Sequence, residues 1–222
     1  MIDPKIETAI AAALRAFSQY NSFDATILTT RFFGVFSAGD VFLEKVAAMD
    51  RIFDDNPKVE ALREVFFDLL LINFFSEDVK KLEEDYLETK EWEGIEEQTL
   101  DRGTELLNLL LYLNECADED IEPGLEDFLK EFLLVDEDEF QDEYRIYEPI
   151  IENQILLESP VAEISRTAKS LPDDSEIKEI FYPLICFFHN IEAPADEKEE
   201  IAKNALEKDF DMAVIGILES FI

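Results

Sequence analysis

The chain has 222 residues, of which 47% are hydrophobic, and its 54 acidic and 19 basic residues give a formal net charge of −35. The hydrophobic content is sufficient for a buried core and excludes a globally disordered chain. The negative charge disfavours direct binding to nucleic acid or to an anionic membrane, whereas it favours attraction to basic regions of other proteins.

The first half of the chain predicts a series of amphipathic helices. Asp3 followed by Pro4 is typical of a helix N-terminus, and a stripe of apolar residues follows it. A second helix is predicted after Asp24, a third helix capped by Asp40, and a fourth helix that opens at Pro57. The fourth helix is apolar on most of its circumference, so we expect neighbours to bury it on several sides. A charged segment at roughly 78–92 and an apolar one at roughly 98–114 follow.

The central stretch of this fourth helix recurs later in the chain. LREVFFDLL occupies 62–70 and IKEIFYPLI occupies 177–185, which is an offset of 115 positions. A Pro and an Arg recur at the same offset, which a generic apolar pattern does not explain, so we predict an internal duplication. The window 46–70 contains seven residues that are identical 115 positions later: Val46, Ala47, Arg51, Pro57, Glu64, Phe66 and Leu69.

The second half repeats the order of the first. Its third helix is predicted to open at Ser159-Pro160 and its fourth at LPDD, 171–174, where Pro183 should kink the helix or set its boundary. No segment shows a sustained strand-like alternation. We therefore predict an all-α fold of about 10–12 helices in two tandem units, 1–115 and 116–222, packed as one body, either a short solenoid or a pseudo-two-fold bundle.

No motif predicts catalysis, a cofactor or a metal. His189 is the only histidine, which excludes motifs that need two, and its neighbour Cys186 stands in an apolar run typical of a buried thiol. The acids from Asp118 resemble the start of a calcium loop, but Pro123 and Leu129 occupy the positions that need Gly and Glu. We expect a protein that is not an enzyme.

Two charged pairs recur in the duplicated pattern and suggest a structural role. Arg51 and Glu64 in the first unit correspond to Arg166 and Glu179 in the second. Each pair connects the third helix of its unit to the fourth, so we predict one interhelical ion pair in each unit. Truncation of Glu179 should then destabilise the fold by about 1 to 3 kcal/mol.

The segment from Glu115 to Glu143 contains fourteen acidic residues and a single basic one, Lys130. The charge of this segment either maintains solubility or forms a docking surface for a basic protein partner. We predict the second role and an interaction protein that covers a basic surface, of the immunity-protein, chaperone or nucleic-acid-mimic type. The alternatives are an enzyme or small-ligand binder with a site between the units, and a neutral scaffold. The candidate partner-binding residues are Asp118, Glu119, Asp120, Glu122, Asp136, Glu137, Asp138 and Glu139.

The cysteine content and the lengths of the apolar runs indicate the cellular compartment of the protein. Cys116 and Cys186 are the only cysteines, so a reducing compartment is favoured. The segment MIDPKIETAI does not have the pattern of a secretory signal. The longest apolar run, VFFDLLLINFF, is too short to span a bilayer. We expect a cytoplasmic protein.

Overall fold

The computed structural model describes residues 1–77, 88–132, 134–136, 139–140 and 145–222, and within 131–144 it describes the backbone alone. These residues confirm the all-α class. Short segments Leu134–Asp136 and Glu139–Phe140 pair as an antiparallel hairpin, β1 and β2, which the sequence did not predict. The described α-helices are α1 (Pro4–Ser18), α2 (Ala25–Ser37), α3 (Phe42–Asp55), α4 (Arg63–Glu77), α5 (Lys90–Thr99), α6 (Leu106–Glu119), α7 (Leu125–Asp127), α8 (Glu148–Glu152), α9 (Val161–Ser170), α10 (Lys178–His189), α11 (Ala195–Asn204) and α12 (Lys208–Leu218).

The capping residues fix where the first helices begin. Asp3 and Asp24 accept hydrogen bonds from backbone N–H groups of the first turns of α1 and α2, as predicted. The predicted cap at Asp40 is wrong, because Val41 adopts the extended N-cap conformation and α3 begins one residue later than an Asp40 cap requires. Pro57 opens a 3₁₀ segment, Pro57–Leu62, which leads directly into α4.

The repeated apolar stretches form two buried helices. Residues 65–70 of α4 and residues 180–188 of α10 are all buried. Pro183 lies inside α10, which continues beyond it to His189, so this proline does not set a helix boundary. The start of α10 also differs from the prediction, because LPDD precedes the helix in a turn-rich segment and the first helical residue is Lys178.

The first and last helices pack against each other along their length and join the two halves. Gly216 of α12 lies against Ala12 of α1, where a β-carbon would stand 3.5 Å from the alanine side chain. A single hydrophobic core includes residues of both halves.

Helix α6 continues past the predicted boundary at 115 as far as Glu119, and it ends at the left-handed residue Asp120. The charged segment predicted at 78–92 falls largely outside the described residues.

Among the residues that the structure describes, we find no helix with both the length and the hydropathy needed to cross a membrane.

Candidate functional site

The acidic junction, defined here as residues 115–127, lies at the C-terminal end of α6 and the turn that follows it. Asp120 adopts a left-handed conformation with a φ of 57° and ends the helix, and Ile121 N–H then donates to Cys116 O at 2.8 Å. The helix therefore ends within this run of acids, and its last carboxylates are followed directly by those of the turn. Four of the predicted partner-binding side chains lie there and are exposed, namely those of Asp118, Glu119, Asp120 and Glu122.

The other four predicted partner-binding residues lie at or beside the short hairpin. The backbones of Asp136 and Glu139 form a facing pair between β1 and β2. Glu137 and Asp138, which connect the strands, lie outside the described residues, as do the side chains of all four. Their part in a docking surface stays a prediction.

Most charges of the acidic junction have no local compensation. Within the described part of the chain, Asp118, Glu119, Asp120 and Glu122 form no ion pair, whereas Glu126 is paired with Lys130. The last turn of α6 contains no basic residue. Because a helix C-terminus carries partial negative charge, acidic side chains there destabilise the helix. These carboxylates therefore stand where they cost stability.

The predicted ion pair between Arg51 and Glu64 is wrong. Arg51 lies on the exposed face of α3, and its Nε donates to Ala47 O in the same helix at 3.1 Å. Glu64 instead accepts from Arg102, whose Nε lies 2.8 Å from Oε2. The helical pattern places Arg51 and Glu64 on neighbouring helices, but their side chains point in different directions.

Arg102 connects the loop before α6 to both α3 and α4. Its two terminal nitrogens each donate to a carboxylate oxygen of Asp50 at 3.1 Å, while Nε donates to Glu64. The guanidinium also lies over the ring of Phe67 at 4.9 Å from its centroid. Arg63 also donates to Asp50, to the Oδ1 that accepts from Arg102, at 3.0 Å. This arrangement of planar, charge-assisted hydrogen bonds, called here the Arg102 clamp, fixes the loop to the core.

Replacement of Arg102 by Met should lower the free energy of unfolding by about 1–2 kcal/mol, because Glu64 then keeps only the hydrogen bond from Gly103 N–H. Arg51→Met is the matched control and should change stability by less than about 0.5 kcal/mol, since Arg51 is exposed. Urea denaturation of both variants measures this difference. Equal losses would show that the Arg102 clamp contributes nothing specific.

Directly after Arg102, the loop is bound to a fully buried carboxylate. Asp68 is 0% exposed and accepts hydrogen bonds from Thr104 N–H at 3.0 Å and from its hydroxyl at 2.6 Å. Burial raises the pKa of Asp68 well above its ordinary range, with a smaller opposing effect from Thr104. Gly103, between the two anchoring residues, has a φ of 89°. Helix α4 thus holds the loop through Glu64 and Asp68, one turn apart.

The second predicted ion pair, between Arg166 and Glu179, is also wrong. Arg166 is exposed on α9 and pairs with Glu163, three residues before it, at 2.6 Å. Glu179 forms no hydrogen bond or ion pair within the described residues. Burial raises its pKa, and the negative charges of Glu207 and Glu64 raise it further. Among the described residues, therefore, the glutamate that lies 115 positions after Glu64 has no cation partner.

Glu179 lines an open cavity of ≈ 500 Å³ that we call the acidic cleft. Ala61 of the first half forms part of its wall, and Phe210 of α12 contributes an apolar surface. Lys178 also lines the cleft, but its ammonium pairs with Asp173 at 2.5 Å. The acidic residues of the cleft are Asp173, Glu176, Glu179, Glu207 and Asp211.

Asp211 is the buried member of the acidic cleft, at 2% exposure. Its Oδ2 accepts hydrogen bonds from the backbone N–H groups of Leu206 at 2.7 Å and Glu207 at 3.1 Å. Its Oδ1 accepts none from the residues that the structure describes. Burial raises the pKa of Asp211 to about 7, against the smaller opposing effect of these two hydrogen bonds.

Arg102 and Asp50 are the residues that sequence reasoning missed. Arg102 is the only basic residue between Lys90 and Lys130, in a stretch rich in acids. A single cation in such surroundings, next to a glycine, is a signal that several carboxylates converge on it. Asp50, in contrast, has no distinguishing feature among 54 acids.

Cys186 and His189, which stand close together in the sequence, both lie on α10. Cys186 is 1% exposed, and burial raises the pKa of its thiol to about 12, so it is not activated. His189 contacts Leu157 O through Nδ1 at 2.8 Å and lies 3.4 Å from Glu197 through Nε2. In the part of the chain that the structure describes, no group of three His, Cys, Asp or Glu residues is arranged to hold a metal ion.

Comparison of the chain with protein-family models, with curated proteins and with solved structures found no match.

Proposed function

We propose that this protein is a non-enzymatic acidic interaction protein of the cytoplasm that binds and covers a basic surface of another protein. The net charge of −35 supplies a long-range field that steers a basic partner toward it. The exposed carboxylates of the acidic junction and of the acidic cleft provide two surfaces that can contact that partner directly.

The observation that carries this proposal is the position of the unpaired carboxylates at the end of α6. Solubility alone is served equally well by acids placed at helix N-termini, where they also stabilise the helix. Glu115, Asp118 and Glu119 instead occupy the last turns of α6, where the helix dipole opposes them. A charge retained at a cost in stability is typical of a functional surface.

The alternative of an enzyme or small-ligand binder has less support. A cavity of ≈ 820 Å³ is lined by apolar residues and by the polar residues Asp68, Glu96, Thr99, Asp101, Arg102, Thr104, Glu105 and Glu176. Its most buried polar side chains, those of Asp68, Arg102 and Thr104, bind one another or α3 and α4 and so hold the loop rather than a ligand. An immunity protein, a chaperone and a nucleic-acid mimic share the acidic surface that we propose, and identification of the partner separates them.

Capture of partners from a native lysate at low and at about 0.5 M salt tests the proposal, because screening weakens binding between exposed charges. We expect a basic protein to be retained at low salt and released at high salt. The variant Asp118→Lys/Glu119→Lys should lose that protein, while its free energy of unfolding should rise by about 1 kcal/mol. Binding would thus fall although the fold becomes more stable.

A control variant makes the same change in net charge elsewhere. Glu7 and Glu152 are exposed and lie on α1 and α8, outside the acidic junction and the acidic cleft. Glu7→Lys/Glu152→Lys should retain the basic protein. If both variants lose the basic protein, net charge alone accounts for binding and the acidic junction is not a specific docking surface. Failure of the unaltered chain to retain any basic protein at low salt would refute the proposed function.

A further inference from the structure

Glu64 and Glu179 occupy the same position in two helices, since each is the second residue of its helix, α4 and α10 respectively. Glu64 contacts the loop before α6, and Glu179 lines a cleft with Glu207, the residue directly before α12. Each glutamate therefore faces the segment that leads into the last helix of its half.

The two positions differ in what faces the glutamate. Arg102 supplies a guanidinium to Glu64 and stacks on Phe67. Glu207, an acid, stands close enough to Glu179 for its charge to raise the pKa of that carboxyl. The cation present in the first half is thus replaced by a second carboxylate, which repels the first. What remains is the open acidic cleft of ≈ 500 Å³.

A buried carboxylate in the wall of the cleft provides a second observation. Asp211 is 2% exposed and lines the cleft, and its Oδ1 has no hydrogen-bond donor among the described residues. A buried oxygen without a donor is costly, and a bound donor relieves that cost. Lys178 is not that donor, since its ammonium binds Asp173 and Leu171 O.

We propose that the acidic cleft receives an arginine side chain of the basic partner, in the way that Glu64 and Asp50 receive Arg102 within this chain. The proposal rests on the proposed function and names the contact by which a basic protein is recognised. The planar guanidinium donates to several carboxylates at once, as Arg102 does. Glu179 and Glu207 lie at the mouth, since both are exposed, and Asp211 is buried.

NMR titration of the ¹⁵N-labelled full chain with N-acetyl-arginine amide tests the proposal directly. We expect amide shifts concentrated at 173–179 and 206–211, with little response to the uncharged analogue N-acetyl-citrulline amide. Glu179→Gln/Glu207→Gln should weaken binding by about tenfold. Because neither glutamate has a cation partner, these substitutions should leave the fold intact, which thermal melting checks. Glu7→Gln/Glu152→Gln removes the same two charges from exposed positions on α1 and α8, and this matched control should bind like the unaltered chain.

Three results would overturn the proposal. They are shifts spread equally over all exposed acids, an equal response to the citrulline analogue, and a cleft that responds to calcium chloride but not to arginine. A fourth result separates the two proposals: a basic protein retained by Glu179→Gln/Glu207→Gln but lost by Asp118→Lys/Glu119→Lys refutes the cleft and supports the proposed function. Arginine binding in the cleft without capture of any basic protein supports the cleft and refutes the proposed function.

Discussion

Replacement of Gly103 by alanine is expected to lower the free energy of unfolding by about 3 kcal/mol. Gly103 has a φ of 89°, a region that residues with a β-carbon rarely adopt. A β-carbon there would stand 2.6 Å from Asp68 Oδ1. Asp68 is unable to move away, because it is 0% exposed and bound to Thr104 at 2.6 Å. The substitution therefore strains the backbone and displaces a buried carboxylate from its donors.

Gly34 provides the matched control for this experiment. It lies within α2, is exposed, and has no atom within 4 Å of the position of an added β-carbon. Gly34→Ala should raise the free energy of unfolding by roughly 0.5–1 kcal/mol, through helix propensity alone. Chemical denaturation of the two variants should therefore give opposite signs. A Gly103→Ala protein as stable as the parent would show that the loop is not held rigidly against Asp68.

The sequence correctly predicted those structural elements that depend on residues close to one another in the chain. The all-α class, the caps at Asp3 and Asp24, and the buried helices α4 and α10 depend on residues within one or two turns of each other. Pro57 likewise opens a helical segment, although its first turn is 3₁₀. Asp40 failed as a cap because the choice between adjacent N-cap residues depends on the approach of the preceding loop, which the pattern does not contain.

The ion pairs required information that helical periodicity lacks. Periodicity assigns residues to a face, but the pairing of a long arginine side chain depends on which face the neighbouring helix covers. Arg51 and Arg166 are exposed and bind within their own helices. The cation that Glu64 does bind, Arg102, is 38 residues away in a loop. The acidic junction was easier to predict because exposure follows from charge density itself.

Parts of the predicted duplication correspond to the helix boundaries. Helices α3 and α9 end at Asp55 and Ser170, and α4 and α10 begin at Arg63 and Lys178, with an offset of 115 in both cases. The first helices differ more, since α1 spans 15 residues whereas α7 is a short turn that continues as π-helix. The duplication and the division at 115 stay predictions.

Asp211→Asn is expected to make the stability of the protein much less dependent on pH. The pKa of Asp211 is about 7 in the folded chain, raised by burial, and about 4 in an unfolded chain. Between these values the folded state holds a proton that the unfolded state has released, so the free energy of unfolding falls as pH rises from about 4 to 7 and then levels off. At pH 8, Asp211→Asn should be more stable than the parent by up to about 4 kcal/mol. At pH 5 the difference should shrink to about 1.4 kcal/mol, because the carboxyl is then neutral in the folded chain but already largely ionised in the unfolded chain. Both folded side chains are neutral at that pH, and both accept from Leu206 and Glu207.

Denaturation of both proteins between pH 5 and 8 measures this difference and separates it from general repulsion at a net charge of −35, which acts on both proteins alike. The groups near Asp211 include Glu207 and Asp209, whose charges raise its pKa further. The acidic cleft also contains Asp173, Glu176, Lys178 and Glu179, and the buried side chains of Tyr182 and Cys186 interact with Asp211 from α10. Asp118→Asn, at an exposed site, makes the same change in charge and should keep the parent's pH dependence. Parallel curves for Asp211→Asn and the parent would show that the carboxyl of Asp211 is ionised throughout this range. Asp211 would then be more hydrated than its exposed fraction of 2% indicates.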